Sequence, residues 1–124
     1  MKKKILIIDD ADELIELTKR LLTARGYDVI GLNDGDRAIE TIQKESPDLV
    51  IVDMLLPGKD GKEICSEIKS NDAIKQTPVI ISTGQFIDEA ITAPGAGLKK
   101  ADDYLGKPFE IEDLLAKIKN LVGS

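Results

Sequence analysis

The feature of this sequence that most constrains its fold is an alternation of short, continuous apolar runs with longer amphipathic segments. Four of the runs are almost wholly aliphatic, and a shorter fifth run is Tyr104-Leu105. Runs of this kind are typical of strands that are covered on both faces of a sheet. The four longer runs are residues 5–8, 29–32, 49–52 and 79–81.

Most segments between these runs carry apolar residues at helical spacing, which predicts amphipathic helices. Gly26, Ser46-Pro47 and Gly123 provide stop signals for three of them. The apolar positions are Leu14, Leu17, Leu21 and Leu22; Ala38, Ile39 and Ile42; Ile64 and Ile68; and Ile111, Leu114, Leu115, Ile118, Leu121 and Val122. Five strands that alternate with helices predict an α/β fold, a doubly wound parallel sheet with helices on both faces.

The segment from residue 84 to 100 is the exception to this regular pattern. Phe86, Ile87 and Ala90 favour a short helix, but Pro94 has no N–H to donate and its ring would clash with the carbonyl of Ala90. We therefore predict a fourth helix that is short or broken and is locally less stable than the other elements.

Length and composition indicate one domain over residues 1–124. A chain of 124 residues is large enough for one core and too small for two. It ends with the last predicted helix, so we expect no output domain. No apolar run approaches the roughly 20 residues that span a bilayer, and the basic start is followed by too few apolar residues for a signal peptide. We therefore expect a cytoplasmic protein without membrane insertion.

Several kinds of chemistry are excluded by residue types that the chain lacks. It has no histidine, which removes Ser–His and Cys–His catalysis and histidine metal ligands. The single cysteine, Cys65, can form no intrachain disulfide, and its helical spacing indicates a small core residue. The formal net charge of −6 disfavours a polyanionic partner, so we expect no direct nucleic-acid binding.

Polar side chains follow four of the five predicted strands at their carboxyl ends. In open α/β sheets, ligands bind in the crevice outside these ends, so the side chains are expected to converge on one rim. They are Asp9 and Asp10 after the first strand, Asp53 after the third, Ser82 and Thr83 after the fourth, and Lys107 with Pro108 after the fifth.

Each of these residues also has a purely structural interpretation. Asp10 or Asp12 could cap the first helix, and Asp53 could cap a turn before Pro57. Thr83 could cap the element that follows it, and a lone lysine is most often solvated. Four structural coincidences at one end of the sheet are less probable than one site.

The charges indicate what such a site would bind. Three carboxylates and one lysine leave a net charge of −2, which a divalent cation would neutralise. Hard oxygen ligands without histidine or cysteine favour Mg²⁺ or Mn²⁺. A carboxylate beside such a metal can attack phosphorus and form an acyl phosphate, which points to phosphoryl transfer onto Asp53.

Taken together, these motifs closely resemble the bacterial two-component response-regulator receiver family, in particular its stand-alone members that resemble the chemotaxis regulator. The resemblance rests on Asp9-Asp10, on Val52-Asp53-Met54-Leu55-Leu56-Pro57-Gly58-Lys59-Asp60-Gly61, on Thr83 after residues 78–81, and on Ala101-Asp102-Asp103-Tyr104-Leu105-Gly106-Lys107-Pro108-Phe109. It covers essentially the whole chain. It implies a flavodoxin-like fold with sheet order 2-1-3-4-5.

The resemblance also implies a role for each acidic residue. Asp53 would accept a phosphoryl group from a phosphohistidine on a sensor histidine kinase or a histidine phosphotransfer protein. Asp10 and Asp53 would bind Mg²⁺ directly, Asp9 would act mostly through water, and the carbonyl of Leu55 would complete the protein ligands. Catalysis by the chain itself would be limited to this transfer and to slow autodephosphorylation.

The remaining roles implied by the family concern the response to phosphorylation. Thr83 would hydrogen-bond the phosphoryl group and Lys107 would pair with it, after a cis Lys107-Pro108 peptide. Tyr104 would report the change to the surface made by the fourth helix, the fifth strand and the fifth helix, where a downstream protein target binds.

This sequence departs from the family pattern in three places. Gly84 stands where alanine is usual after the threonine, which implies wider access to the phosphoryl group. Lys100 stands where glycine is usual, and residues 93–97 interrupt the fourth helix.

Three other kinds of protein compete with a phosphorylated receiver as interpretations of this sequence. A haloacid-dehalogenase-type phosphatase needs a second aspartate two residues after the nucleophile, where this chain has Leu55. A flavodoxin needs a phosphate-binding loop after the first strand, where Asp9-Asp10 would repel phosphate. A receiver-like module that binds partners without phosphorylation remains the serious alternative, since fold does not prove chemistry.

Overall fold

The computed structural model of the chain describes residues 2–84 and 101–123. Five strands lie within these residues: β1 (Lys4–Ile8), β2 (Asp28–Leu32), β3 (Leu49–Asp53), β4 (Val79–Thr83) and β5 (Asp103–Gly106). The α-helices within them are α1 (Asp12–Thr23), α2 (Ala38–Glu45), α3 (Gly61–Ser70) and the C-terminal helix (Ile111–Val122), and a 3₁₀ turn at Gly35–Arg37 precedes α2. None of these described helices is long and apolar enough to cross a membrane.

The strands form one parallel sheet in the order β2-β1-β3-β4-β5, which confirms the predicted topology. All four neighbouring pairs are parallel. β3 lies at the centre and every one of its residues is buried, as its continuous aliphatic sequence requires. β2 and β5 form the two edges of the sheet.

Two cores lie on opposite faces of the sheet because successive side chains of a strand point to opposite sides. Leu6, Val50 and Ile81 belong to the core that is closed by α2 and α3. Ile5, Ile51 and Ile80 belong to the other, which is closed by α1 and the C-terminal helix. Helices on both faces are thus confirmed.

Three of the predicted helix stops have the expected backbone conformation, with one shift in position. Ser46 takes a left-handed conformation (φ 49°) directly after α2, and Gly123 does the same (φ 80°) after the C-terminal helix. Gly26 also has a positive φ of 91°, but α1 ends earlier, at Thr23, and Gly26 shapes the connection to β2.

The connection between β3 and α3 ends at Asp60. Gly61 is the first residue of α3, and the Asp60 carboxylate caps that helix by accepting a hydrogen bond from the Glu63 N–H at 2.9 Å. The predicted short fourth helix, and Lys100 with it, lie outside the described residues.

Two glycines let the β3–α3 connection pack closely under the end of β3. A Cβ atom on Gly61 would lie 2.4 Å from the Asp53 carbonyl oxygen, and one on Gly35 would lie 2.7 Å from the Lys59 carbonyl oxygen. Both neighbours are backbone atoms that cannot rotate away. The connection after Asp53 is therefore placed by the absence of side chains at these two positions.

We expect Gly61→Ala to lower the free energy of unfolding by about 1–3 kcal/mol, because the added methyl group must displace backbone at the end of β3. Gly84→Ala is the control, since no described atom lies within 4 Å of its Cβ position. Urea denaturation of both variants measures the effect. Equal stability of Gly61→Ala and wild type would show that this contact relaxes without cost.

Candidate functional site

Strand register alone brings the polar residues to one rim of the sheet. Ile8 is paired with Val52, so Asp9 and Asp53 follow side by side. Asp53 is paired with Ser82 and Thr83 with Gly106, which places Lys107 next to Thr83. The predicted convergence of these side chains at the carboxyl ends of the strands is therefore present in the structure.

Three carboxylates form the centre of this rim. Asp9, Asp10 and Asp53 each offer an oxygen, and these oxygens lie within 4.8 Å of one another. Asp9 and Asp53 are buried, with 4% and 8% of their surface exposed, whereas Asp10 is exposed. Three acidic groups at this separation repel one another unless cations offset their charge.

Lys107 supplies positive charge to two of the three carboxylates. Its Nζ donates to Asp9 Oδ2 at 2.8 Å and lies 3.3 Å from Asp53 Oδ2. The backbone N–H of Lys107 donates to the Thr83 carbonyl at 2.8 Å, which fixes the start of this loop to the end of β4. The Lys107-Pro108 peptide is cis, as the family resemblance implied.

Backbone N–H groups hold the other oxygens of the two buried carboxylates. Ala11 N–H donates to Asp9 Oδ1 at 2.9 Å, and Leu55 N–H lies 3.4 Å from Asp53 Oδ1. No side-chain hydrogen bond caps α1, whose N-cap residue is Ala11, so the capping interpretation of Asp10 or Asp12 is wrong. The weak contact from Leu55 does agree with a turn role for Asp53, and it leaves Oδ2 facing Lys107.

The pKa of Asp53 is raised above its ordinary value, and burial is the largest cause. The positive charge of Lys107 acts in the opposite direction, and the negative charge of Asp9 raises the pKa further. The ionised form of Asp53 is therefore held at a cost to the folded protein, and a further cation at the rim would reduce this cost.

The pKa of Lys107 reflects the same balance. Burial by itself would lower it, but the hydrogen bond to Asp9 and the charges of Asp9 and Asp53 outweigh burial, so the pKa is raised. The ammonium group thus keeps its charge throughout the neutral range and remains available to a second anion at the rim.

The remaining predicted residues surround the carboxylates at different depths. Thr83 ends β4 with only 1% of its surface exposed. The side chain of Leu55 is 62% exposed beside Asp53, although most large apolar residues of the described chain are covered. Tyr104 is buried in the core on the α2 and α3 face, paired with Ile81, and burial raises the pKa of its hydroxyl.

The donor set at this rim fits a small, hard divalent cation. All the candidate side-chain ligands are carboxylate oxygens, and one of them is exposed to incoming ions. Mg²⁺ prefers such ligands and usually keeps several waters in addition. Softer thiolate ligands are absent from the described site, because Cys65 is buried between α3 and the sheet, where burial raises its pKa to about 11.

The sequence analysis did not identify the residues that position the loop after Asp53 and the carboxylate of Asp9. Gly61 and Gly35 place the loop after Asp53, and the Ala11 N–H holds Asp9. The Asp60-Gly61 dipeptide carried a recognisable signal, since an aspartate before a helix is a common N-cap. The contact between Gly35 and the Lys59 carbonyl joins two distant loops, and no local pattern reveals it.

Comparison with known proteins agrees with this geometry. The sequence profile of the family described as "Response regulator receiver domain" matches residues 5–119. The chain therefore belongs to the response-regulator receiver family of two-component signalling systems.

Solved structures of this family are similar along the whole chain. A response regulator from Chloroflexus aurantiacus is 35% identical, with 100% of each chain covered and a TM-score of 0.88. The BeF3-activated receiver domain of RstA from Klebsiella pneumoniae is 32% identical, with 98% of this chain and 100% of that chain covered and a TM-score of 0.85. The receiver domain of a sensor histidine kinase from Pseudomonas aeruginosa, solved with a magnesium ion coordinated in the active site cleft, is 26% identical, covers 100% of both chains and has a TM-score of 0.83.

We expect Asp53→Asn to raise the thermal unfolding midpoint at pH 7 without divalent metal, because it removes a buried charge whose pKa is raised. Burial of Asp53 destabilises the folded state only when the carboxyl group is ionised. The destabilisation is therefore complete at pH values above the pKa that Asp53 has in the folded protein. It disappears as the pH falls towards 3.8, the ordinary value.

Melting wild type and variant from pH 7 downwards measures the difference, which should shrink as the pH falls. Asp28→Asn is the control, because it removes an exposed charge at the opposite end of the sheet. A midpoint for Asp53→Asn at pH 7 that does not exceed that of wild type would contradict the claim.

Proposed function

We propose that the chain is a phosphorylation switch in which Asp53 accepts a phosphoryl group with the help of Mg²⁺. The observation that carries the proposal is the set of three carboxylates within 4.8 Å of one another, two of them in contact with Lys107. A structural ion pair needs one acid and one base. The surplus of negative charge at a buried rim is what a phosphate-accepting metal site requires.

In the transfer, an Asp53 carboxylate oxygen forms a bond to phosphorus. The bond from phosphorus to the partner's histidine nitrogen breaks, and its electron pair stays with the imidazole ring. Asp53 Oδ2 faces the rim beside Lys107, whereas Oδ1 is nearer the Leu55 N–H, so we assign the attack to Oδ2. Bound Mg²⁺, held by Asp10, Asp53 and the Leu55 carbonyl with Asp9 nearby, would neutralise charge on the carboxylates and the incoming phosphoryl oxygens.

Lys107 and Thr83 would stabilise the phosphoryl group after transfer. Lys107 Nζ already lies 3.3 Å from the acceptor carboxylate, so a small movement away from Asp9 lets it pair with a phosphoryl oxygen. Thr83 ends the neighbouring strand and can offer its hydroxyl to the same group. Thr83 is buried and Lys107 is half-buried, which strengthens these interactions relative to water.

The same geometry suggests how the signal leaves the site. The Lys107 N–H is bonded to the Thr83 carbonyl, and Tyr104 lies three residues before Lys107 on β5. A shift of Thr83 or Lys107 towards a phosphoryl group would be transmitted to β5 and to the core position of Tyr104. We propose that this changes the surface formed by the segment after β4, by β5 and by the C-terminal helix, where a downstream protein binds.

The partner that supplies the phosphoryl group would be a sensor histidine kinase or a histidine phosphotransfer protein. The 124 residues contain no histidine, so the donor histidine lies outside them. We propose that this exchange takes place in the cytoplasm. A receiver that works without phosphorylation is the less favoured function, because each predicted phosphorylation residue is present at the rim.

We expect wild-type protein with acetyl phosphate and Mg²⁺ to gain the mass of one phosphoryl group, and Asp53→Asn to gain none. The amide cannot act as the nucleophile that the carboxylate provides. Asp28→Asn is the matched control, and it should be phosphorylated like wild type. Intact-mass spectrometry measures all three, and equal uptake by Asp53→Asn and wild type would refute Asp53 as acceptor.

We expect Mg²⁺ to raise the thermal midpoint of the wild type through binding to the folded state alone. Ligand linkage gives about 2.7 kcal/mol at one hundred times the dissociation constant. Asp10→Ala should lose most of the shift, whereas Asp12→Ala, whose carboxylate instead accepts from Asn33 Nδ2 at 3.1 Å, should retain it. Equal shifts in wild type and Asp10→Ala would contradict the assignment of Asp10 as a ligand.

A further inference from the structure

Four cations converge on a cleft at the end of the sheet opposite to Asp53. The cleft has a volume of about 350 Å³ and is lined by basic, aromatic and aliphatic residues from three distant parts of the chain. The lining residues are Lys2 and Lys3 before β1, Arg25, Gly26 and Tyr27 between α1 and β2, and Leu115 and Lys119 on the C-terminal helix. No acidic residue is among the described residues that line it.

None of these four cations forms an ion pair within the described residues. Seven lysines and arginines of the described chain form ion pairs, including Lys4, the next residue after Lys3. No described carboxylate oxygen lies within 4.0 Å of a side-chain nitrogen of Lys2, Lys3, Arg25 or Lys119. Lack of an ion pair alone does not distinguish them, because four described basic residues outside the cleft also have none: Lys19, Arg20, Lys44 and Lys62. The distinctive feature is that four such cations line one cleft without an acidic residue.

Helix ends explain part of this cluster but not all of it. Arg25 Nη1 lies 3.4 Å from the Leu21 carbonyl near the end of α1, and Lys119 is in the last turn of the C-terminal helix. Each helix end carries about half a negative charge, so two ends offset roughly one of the four positive charges. About three positive charges remain, and Lys2 and Lys3 precede a strand rather than end a helix.

The shape of the cleft distinguishes it from an exposed run of lysines. Lys3 is half-buried, and its carbonyl accepts from the Asp28 N–H at 2.9 Å, so the backbone that carries it is fixed by β2. Tyr27 is 5% exposed and Leu115 is half-buried, and they form the apolar wall of the cleft. A second polar cleft, by contrast, mixes the acids Asp12 and Glu16 with its cations.

We propose that this cleft, defined by Lys2, Lys3, Arg25 and Lys119 around Tyr27 and Leu115, binds a compact anion with several phosphate charges. Arginine and lysine are the residues that bind phosphate oxygens, and three uncompensated charges match a triphosphate or a multiply phosphorylated head group. The apolar wall would pack against a non-polar part of the same ligand. A soluble phosphorylated molecule and the multiply phosphorylated head group of an anionic lipid both present this chemistry, and the two arms of the test distinguish them.

The cleft is separate from the phosphorylation site. Lys4 begins β1 and Asp9 follows its end, so the length of one strand, roughly 17 Å at 3.3–3.4 Å per residue, lies between the cleft and the carboxylates. Binding at the cleft therefore does not depend on the proposed function of Asp53, and each can fail without the other.

One arm measures binding of inorganic tripolyphosphate without Mg²⁺ by amide NMR titration at low salt. The other arm measures sedimentation with vesicles of nine parts phosphatidylcholine to one part phosphatidylinositol bisphosphate, a lipid with a multiply phosphorylated head group. Arg25→Gln/Lys119→Gln removes two cleft charges. Arg20→Gln/Lys44→Gln is the matched control, because it removes one arginine and one lysine that are exposed and do not line the cleft. Uptake of phosphate from acetyl phosphate with Mg²⁺ should be unchanged in both variants.

We expect tripolyphosphate to shift the amides of Lys3, Gly26 and Lys119, and the cleft variant to bind about tenfold or more weakly than the control at low salt. A second supporting result is that the control variant binds the vesicles, the cleft variant does not, and neither binds free tripolyphosphate. That result would identify a lipid head group as the source of the phosphate. Equal binding by the two variants, shifts confined to Lys107 and its neighbours, or no binding in either arm would overturn it.

Discussion

The contact of Lys107 with Asp9 and Asp53 is the interaction on which the rest of the site depends. It allows two buried carboxylates and an exposed third to lie within 4.8 Å of one another in the folded chain. Lys107 neutralises only part of the negative charge at the rim, because there is one ammonium group for three carboxylates. The pKa of Asp53 therefore remains raised, chiefly by burial. This residual negative charge is the feature on which the proposed binding of a cation and a phosphoryl group rests.

The sequence predicted the fold and most of the rim because both follow from short-range patterns. Continuous aliphatic runs identify buried strands, and in a parallel sheet their carboxyl ends meet at one edge. The register of the strands then determines which residues of the rim are neighbours, since the pairing of Ile8 with Val52 places Asp9 beside Asp53. The sheet order itself came from the family resemblance, as strand patterns alone do not determine which strands are neighbours.

Contacts between distant loops could not be predicted in the same way. Gly35 lies in one loop and the Lys59 carbonyl in another, and only the folded backbone shows that a Cβ atom would meet that oxygen at 2.7 Å. The basic cleft is a similar case, because Lys3, Arg25 and Lys119 are far apart in a chain whose net charge is −6. Net charge describes the whole surface and conceals a local excess of the opposite sign.

The most direct test of this account is chemical mapping of the phosphorylated position in the wild-type protein. Borohydride reduces an acyl phosphate to an alcohol and leaves free carboxylates unchanged, so the modified residue can be located by peptide mass spectrometry. After treatment with a phosphodonor and Mg²⁺, the account predicts reduction at Asp53 alone. Reduction at Asp9, Asp10 or another carboxylate, or no reduction at any position, would contradict the central claim that this rim directs phosphoryl transfer onto Asp53.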